Sequence, residues 1–386
     1  MPLDLDTIPI LDHHCHSLYR AQPQTTDEWR KFFTESYYPE IARDHVPYTI
    51  FYQWAQRALA HFYGCAANDD AILEKRNAYG LAELTQKINA DANIQAWLVD
   101  YGYSTTHTFG HDELKNIAGV RVEKVLRLEV MLEQFIVQAN AFDAVHDLFD
   151  NALHDLRGKG YVSLKSIMAY RTGLQIQPTT HAQARAEFAA LKERATRDGK
   201  LRLANQTFLN YFIPRAVEIA ARQEFPIQFH TGFGDPDLDL AQVNPAFLRP
   251  LFEEEKYRGA KIVLLHAAYP YARTLGYLAA VYPNVYADFG LAIPFVAGDA
   301  RAVLRDVLGL APASKVLYSS DAFHIPELYW LGAKLGRRAL GDVLAEYVAD
   351  DLITGDAARE MAELMLWRNA ARVYGVNLAR GFALQT

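Results

Sequence analysis

Eight short apolar runs, each a candidate strand, recur along this chain of 386 residues, and most are followed by a stretch with helical spacing. They lie at residues 8–14, 94–101, 125–129, 161–167, 226–230, 261–266, 284–288 and 315–320. Alternation of strands with helices predicts βα units and a parallel sheet whose strands are buried on both faces. Eight such units favour a closed barrel over an open sheet, so the predicted fold class is α/β, a (β/α)8 TIM barrel.

One long segment departs from this alternation. After the first run, residues from about 20 to 90 are rich in aromatic side chains at helical rather than alternating spacing. We expect a helical insertion here, at the end of the barrel where active sites lie, which makes it a candidate lid. The helical run at about 356–374 is expected to close the barrel, and no linker interrupts the series. Residues 1–386 are therefore predicted to form one barrel domain.

Composition excludes several kinds of partner. The formal charge is -7 and the isoelectric point is near 6.0, with scattered Lys and Arg, so neither nucleic acid nor an acidic membrane is an expected partner. Cys15 and Cys65 are the two cysteines, too few for a disulfide framework, and the N-terminus has no basic signal-peptide region. We expect a cytoplasmic protein that acts on a small molecule; its oligomeric state is left open, a homo-oligomer included.

The end of the first candidate strand carries closely spaced histidines. A period of two places Asp12, His14 and His16 on one face and turns His13 and Cys15 to the other. Two imidazoles would then converge on one point, with Asp12 as an inward neighbour. Such a pair could chelate a divalent metal, but taken alone it is weak, because paired histidines also occur in packed or solvated places.

Three later strand candidates end on further metal-binding side chains, namely His230, His266 and Asp321. The carboxyl ends of barrel strands form one rim, so these residues are expected to meet His14 and His16. Each alone could be structural, a buried hydrogen-bonded His or a helix-capping Asp, but four strand ends together favour a metal site. Nitrogen and carboxylate ligands suit zinc, with manganese or iron as further candidates, and Asp321 or His266 could accept a proton from an activated water.

Polar residues near the fourth strand candidate add to this site. Lys165 falls late in that strand and has three open interpretations: a carbamylated lysine that bridges two metals, a cation for a substrate carboxylate, or a surface lysine. Tyr170 and Arg171 follow, and they are candidate substrate-binding residues. Arg171 suits bidentate capture of a carboxylate, although an ordinary surface salt bridge is equally compatible with the sequence.

These residues resemble the amidohydrolase superfamily, specifically its amidohydrolase-2 group. The hallmarks of that group are an HxH pair on strand one, a His after each of strands five and six, and an Asp after strand eight. The stretches LKSIMAYRTGL, QFHTGFGD, LLHAAYPYAR and VLYSSDA are similar, more narrowly, to the amidohydrolase region fused to glutamine-synthetase-like domains in nodulin-type and fungal developmental proteins. No stretch of the 386 residues resembles the synthetase-like part.

The resemblance implies a metal-dependent amidohydrolase. Its expected reaction is hydrolysis of a C–N (amide) bond in a small carboxylate-bearing substrate, for which a γ-glutamyl-type amide is a candidate by analogy. Lys165 matches the strand-four position that is carbamylated in binuclear relatives, so one or two metal ions are expected. A metal-dependent decarboxylase on the same barrel is the first alternative, and a non-enzymatic metal-binding barrel is the second.

Overall fold

Eight parallel strands pair in chain order in the computed structural model, which describes residues 3–103 and 106–378. The strands are β1 Ile10–Cys15, β2 Ile94–Asp100, β3 Arg121–Arg127, β4 Tyr161–Ser166, β5 Pro226–Phe229, β6 Lys261–Leu264, β7 Val285–Asp288 and β8 Val316–Leu317. Backbone hydrogen bonds bridge the seam between the two ends of the sheet, from Asp321 N–H to His14 O (3.0 Å) and from His16 N–H to Ala322 O (2.8 Å). The predicted (β/α)8 barrel is thus confirmed, and the predicted strands lie within a few residues of the observed ones.

Helices connect and surround the strands. They are α1 Thr26–Arg30, α2 Ile50–Tyr63, α3 Asp69–Asn77, α4 Leu81–Asp91, α5 His111–Ala118, α6 Leu128–Gln138, α7 Phe142–Leu153, α8 Ala169–Thr172, α9 His181–Asp198, α10 Gln206–Arg222, α11 Arg249–Glu253, α12 Ala272–Val281, α13 Ala292–Val296, α14 Ala300–Leu308, α15 Pro326–Ala349, α16 Gly355–Glu363 and α17 Asn369–Tyr374. Local sequence sets many of their ends: Thr180 and Gln183 form a capping box at the start of α9, and Gly199 ends that helix in a left-handed conformation.

Strand β1 does not keep the predicted alternation of faces. Asp12 pairs with Trp97 and Cys15 with Val99, so three steps on β1 span two steps on β2. This extra residue is a β-bulge, which re-aims the side chains around it. A strict period of two therefore fails at the point where the candidate metal ligands begin.

The bulge turns His13 into the barrel, where the sequence predicted an outward side chain. His13 is fully buried, and its ring stacks on Tyr374 with 5.4 Å between centroids. Its backbone carbonyl accepts a hydrogen bond from Gln228 of β5, the strand across the barrel. The outward prediction for His13 is wrong, whereas Cys15 packs in the outer core between strands and helices, as predicted.

The segment between β1 and β2 contains four helices, α1 to α4, where the sequence predicted a helical insertion. It is joined to the barrel through α15: the buried guanidinium of Arg76 on α3 contacts the buried Glu327 carboxylate, with 2.5 Å between Nε and Oε1. The Tyr63 hydroxyl donates to the same carboxylate at 2.7 Å. This segment is therefore held against the carboxyl-end rim of the strands.

The opposite end of the barrel is filled from the C-terminal side. Ala370 and Val373 of α17 and the adjoining Val376 pack in one apolar cluster with Leu11 and Val263 from the barrel interior. The prediction that the last helical run closes the barrel is confirmed. None of the helices in the described ranges has the length and apolar character needed to cross a membrane.

Candidate metal centre

Polar side chains stand at or just beyond the carboxyl ends of the strands and face one another across the rim. In chain order they are His14, His16, Asp100, Arg127, Lys165, His230, His266, Asp288 and Asp321. Nearly all are buried, which is costly for polar groups unless each finds a partner or a ligand. The hydrogen bonds among them show which atoms are left to bind something else.

The lone pair of His16 can be assigned from its neighbours. His16 Nδ1 lies 3.0 Å from the backbone carbonyl of Asp100, which can only accept, so Nδ1 carries the proton. In the neutral ring the lone pair is then on Nε2, which lies 3.2 Å from Asp321 Oδ1. Neither atom can donate a hydrogen to the other, so His16 Nε2 and Asp321 Oδ1 are both able to bind a cation placed between them.

The same reasoning applies to His266. His230 Nε2 lies 3.1 Å from the carbonyl of Phe233 and so carries the proton, which leaves His230 Nδ1 to accept from His266 Nε2 at 2.9 Å. His266 Nδ1 therefore holds a lone pair, and it faces Asp321 Oδ2 at 3.8 Å. It is buried and has no hydrogen-bond partner within the described ranges.

His14 and Lys165 complete the centre. His14 Nε2 lies 3.1 Å from Asp321 Oδ1 and also 3.1 Å from Lys165 Nζ. His14, His16 and Asp321 form a group whose ligand atoms all lie within 4.8 Å of one another. His230 is not part of this group, and both of its nitrogens are engaged with Phe233 and His266.

Burial keeps the imidazoles of His14, His230 and His266 neutral. It lowers the pKa of His14 to about 4 and places the pKa values of His230 and His266 well below their usual range. Burial also lowers the pKa of Lys165 to about 8. Neutral imidazoles beside a carboxylate are the donor set of a divalent metal site, so the residues fit such an ion.

Two buried carboxyl groups position these ligands. Asp288 accepts from the His266 backbone N–H at 2.8 Å and from the Ser319 hydroxyl at 2.9 Å. His266 has a φ of 67°, in the region that non-glycine residues rarely adopt, and this contact helps to hold it there. Asp12 accepts from the Ser320 backbone N–H at 2.9 Å, which fixes the residue before Asp321. Asp12 thus acts on the loop after β8 rather than on the ring of His14.

A cavity of about 580 Å³ opens above the centre. Its lining includes Lys165 and the guanidinium groups of Arg127, Arg171 and Arg202. Arg127 is bound by the Asp100 carboxylate at 2.7 Å, whereas Arg171 makes a longer contact of 3.3 Å with Glu133. The buried Nε of Arg171 has no hydrogen-bond partner among the residues that the structure describes. The cavity wall therefore suits an anionic group.

The two residues predicted to bind substrate both line this cavity. Arg171 is only 11% exposed in its side chain, so it is not the ordinary surface ion pair that the sequence also allowed. The Tyr170 ring packs against His230 with 4.5 Å between centroids, and its hydroxyl accepts weakly from the Asp235 N–H at 3.4 Å. Tyr170 thus connects the cavity wall to the loop after β5.

Several residues of the rim and of the cavity were not predicted from the sequence as site residues. Asp100 and Arg127 end β2 and β3, and the rule applied to the other strand ends would have found them. Glu35 and His324 also line the cavity, and His324 stacks on Tyr19 with 3.5 Å between centroids. No sequence pattern marks Glu35, because it lies in the segment between β1 and β2, whose approach to the rim depends on tertiary packing.

Comparison with known sequences identifies the family of the chain. The sequence model of the family described as "Amidohydrolase" (Amidohydro_2) matches residues 171–376, just over half of the chain. The chain is 28% identical to Protein fluG of Emericella nidulans over 411 aligned residues. That alignment covers 97% of this chain but 46% of fluG, so the chain spans about half the length of this curated relative.

Solved structures share the whole architecture. A "putative metal-dependent hydrolase" from Lactobacillus casei ATCC 334 is 29% identical, with a TM-score of 0.87 over 97% of this chain and 98% of that one. Uronate isomerase from Thermotoga maritima is 14% identical, with a TM-score of 0.64 over 96% of this chain and 95% of that one. At that identity the isomerase shows a shared fold alone.

Proposed function

Because this chain belongs to the amidohydrolase family, we propose that it is a metal-dependent hydrolase that cleaves a C–N (amide) bond in a small carboxylate-bearing substrate. The observation that carries this proposal is the convergence of lone pairs on Asp321: those of His16 Nε2 and His266 Nδ1 both face its carboxylate oxygens at the bottom of a cavity. We also propose that residues 1–386 act as one catalytic unit, and that it works in the cytoplasm.

His14, His16 and Asp321 would hold the principal metal, for which we propose zinc, and His266 Nδ1 is the next donor. The metal would supply Lewis acidity that polarises the amide carbonyl and lowers the pKa of the attacking water. His230 serves chiefly to fix the tautomer of His266, and it becomes a ligand only if it gives up one of its present contacts.

The chain's own residues would bind the substrate and move one proton. Arg171 binds the substrate carboxylate through its free Nε, with Tyr170 forming the adjoining wall. As the water oxygen bonds to the carbonyl carbon, the Asp321 carboxylate accepts the proton that the water gives up. The same proton passes to the nitrogen as the C–N bond breaks. If the lone pair of His266 Nδ1 is not used to bind the metal, it offers a second acceptor for the proton that the water gives up.

Lys165 decides the number of metal ions. An ammonium has no lone pair and a neutral amine has only one, so Lys165 can bridge two metal ions only after carbamylation. Its lowered pKa of about 8 keeps part of it as the amine that carbamylation requires near neutral pH. A carbamylated Lys165 with His230 and His266 would form a second metal position. Uncarbamylated, Lys165 acts as a cation 3.1 Å from His14.

Metal analysis and a substrate panel test the proposal together. Elemental analysis is made on the purified protein, on His16→Ala and on His61→Ala, which alters an exposed histidine on α2. We expect zinc in the unchanged protein and in His61→Ala, and loss of most of it, with activity, in His16→Ala. One ion per chain supports an uncarbamylated Lys165, and two support the carbamate.

The panel consists of γ-glutamyl amides, and both amine release and carbon dioxide release are measured. Amine release that depends on His16 supports the hydrolase. Carbon dioxide release without amine release would establish the decarboxylase instead. Equal metal content in the unchanged protein and in His16→Ala would refute the assigned centre.

A further inference from the structure

The cavity also contains a pair of carboxyl groups that are not among the candidate metal ligands. Glu35 lies in the segment between β1 and β2, just after the short 3₁₀ turn Lys31–Phe33, and Asp235 lies in the loop after β5. Both line the cavity, and their side chains are hydrogen-bonded to each other. Two carboxyl groups in such a contact must share a proton, because like charges so close cannot both ionise easily.

Neither carboxyl group of this pair is neutralised by a cation within the described residues. Among the described residues, neither Glu35 nor Asp235 forms an ion pair with Lys, Arg or His, and Glu35 Oε1 is buried without a hydrogen-bond partner. The Tyr37 hydroxyl contacts Asp235, and it lies 3.3 Å from Asp237 Oδ1. Burial raises the pKa of Glu35 well above its usual range, and the charges of Asp235 and Asp321 raise it further.

Two of the cations that line the cavity are already engaged elsewhere. Arg202 is paired with Asp237, and Arg127 with Asp100. Other groups facing the pair are acidic or phenolic: Asp321, Tyr103 and Tyr170. A cavity wall of this kind is complementary to a group that brings a positive charge and several N–H donors with it.

We propose that Glu35 and Asp235 bind a free ammonium group of the substrate, so that the substrate is zwitterionic and resembles an α-amino acid with an amide in its side chain. This inference rests on the proposed amide hydrolysis, in which Arg171 binds the carboxylate of the same molecule. Binding of the ammonium displaces the shared proton to solvent, and both carboxylates then accept hydrogen bonds from the ligand nitrogen. Glu35 and Asp235 are specificity-determining residues, and the reacting bond is cleaved at the metal centre.

A matched pair of probes isolates the ammonium group. L-glutamine has a carboxylate, an amide and an α-ammonium, and glutaramate is the same molecule without the amino group. Binding of each is measured by isothermal titration calorimetry to the protein as purified, to Glu35→Gln, to Asp235→Asn and to the control Glu255→Gln. Glu255 is 83% exposed in its side chain and lies outside the cavity lining.

We expect L-glutamine to bind at least about tenfold more tightly than glutaramate to the unchanged protein and to Glu255→Gln. Glu35→Gln and Asp235→Asn are each expected to abolish this preference while glutaramate affinity stays within about twofold, which also shows that the variants are folded. Equal binding of the two probes to the unchanged protein overturns the proposal. It is also overturned if L-glutamine does not bind, if the preference persists in both variants, or if both probes weaken equally.

The experiment distinguishes failure of the proposed amide hydrolysis from failure of the proposed ammonium site. Binding is measured independently of turnover, so a non-hydrolytic protein with this specificity would still prefer L-glutamine but would release no ammonia from it. Ammonia release with no preference for the amino group would support the hydrolase and overturn the ammonium site.

Discussion

The buried ion pair between Arg76 and Glu327 is the contact that we expect to matter most for holding the segment between β1 and β2 over the cavity. The two side chains are 1% and 0% exposed, and Nε and Oε1 are 2.5 Å apart. Arg76 also donates to the side chain of Gln22 at 2.8 Å, and Tyr63 donates to Glu327 at 2.7 Å. Burial alone would lower the pKa of Arg76, but the Glu327 carboxylate raises it, so Arg76 keeps its charge.

Glu327→Gln removes one charge and leaves the guanidinium buried without its counter-ion. Removing one partner of a buried pair typically costs about 3–5 kcal/mol, because the remaining charge keeps its desolvation penalty. We expect a loss of about 3 kcal/mol in the free energy of unfolding, the lower end of that range, because Gln can still accept one hydrogen bond from Arg76. The combined change Arg76→Met with Glu327→Leu should recover part of this loss, since no unpaired charge then remains buried.

Urea unfolding followed by tryptophan fluorescence measures these differences. The control is Asp306→Asn, which breaks an ion pair with Arg273 in which the two side chains are 36% and 86% exposed. We expect that change to cost less than about 1 kcal/mol. If Glu327→Gln costs no more than Asp306→Asn, or if the double variant is less stable than Glu327→Gln, the proposed role of this ion pair is wrong.

Two further outcomes are expected. Burial raises the pKa of Asp12 to about 7, so the folded protein binds more protons than the unfolded chain between about pH 4 and 7, and stability falls as pH rises through that window. Asp12→Asn should remove this pH dependence, so its free energy of unfolding at pH 8 should rise relative to the unchanged protein by at most about 4 kcal/mol. Urea unfolding at several pH values, in the presence of a chelator, measures this difference. An unchanged pH dependence in Asp12→Asn would contradict the prediction. Gly232 has a φ of 72°, and an added Cβ would lie 2.4 Å from the backbone carbon of Ala268. Gly232→Ala should therefore lower the free energy of unfolding by more than about 2 kcal/mol in the same assay. The control Gly199→Ala also has a positive φ but has open space around it, and it should cost about 1 kcal/mol.

Much of the barrel was predictable from the chain itself. Short apolar runs that alternate with helical periodicity can be buried on both faces only in a parallel sheet covered by helices, and eight of them close a barrel. Because the carboxyl ends of such strands share one rim, the placement of His14, His16 and Asp321 at strand ends predicted that they would meet, although Asp321 is about 300 positions away.

The sequence also predicted the chemical type of the centre, since imidazole and carboxylate groups are the usual donors to zinc and similar metals. Period-two reasoning failed locally, however, at His13. A β-bulge depends on how two strands pair across the sheet, and one strand's own pattern does not specify that pairing.

Only the tertiary structure decided the finer features of the site. The tautomers of His16 and His266 follow from a carbonyl and an imidazole that come from other strand ends. These partners show which ring nitrogens are hydrogen-bonded and which keep a free lone pair. The approach of Glu35 to Asp235 depends on how the segment between β1 and β2 packs over the rim. The spacing of neighbouring residues determines the periodicity of a strand or helix. Contacts between distant segments depend instead on the free energy of packing the entire chain, and that cannot be inferred from any short stretch of sequence.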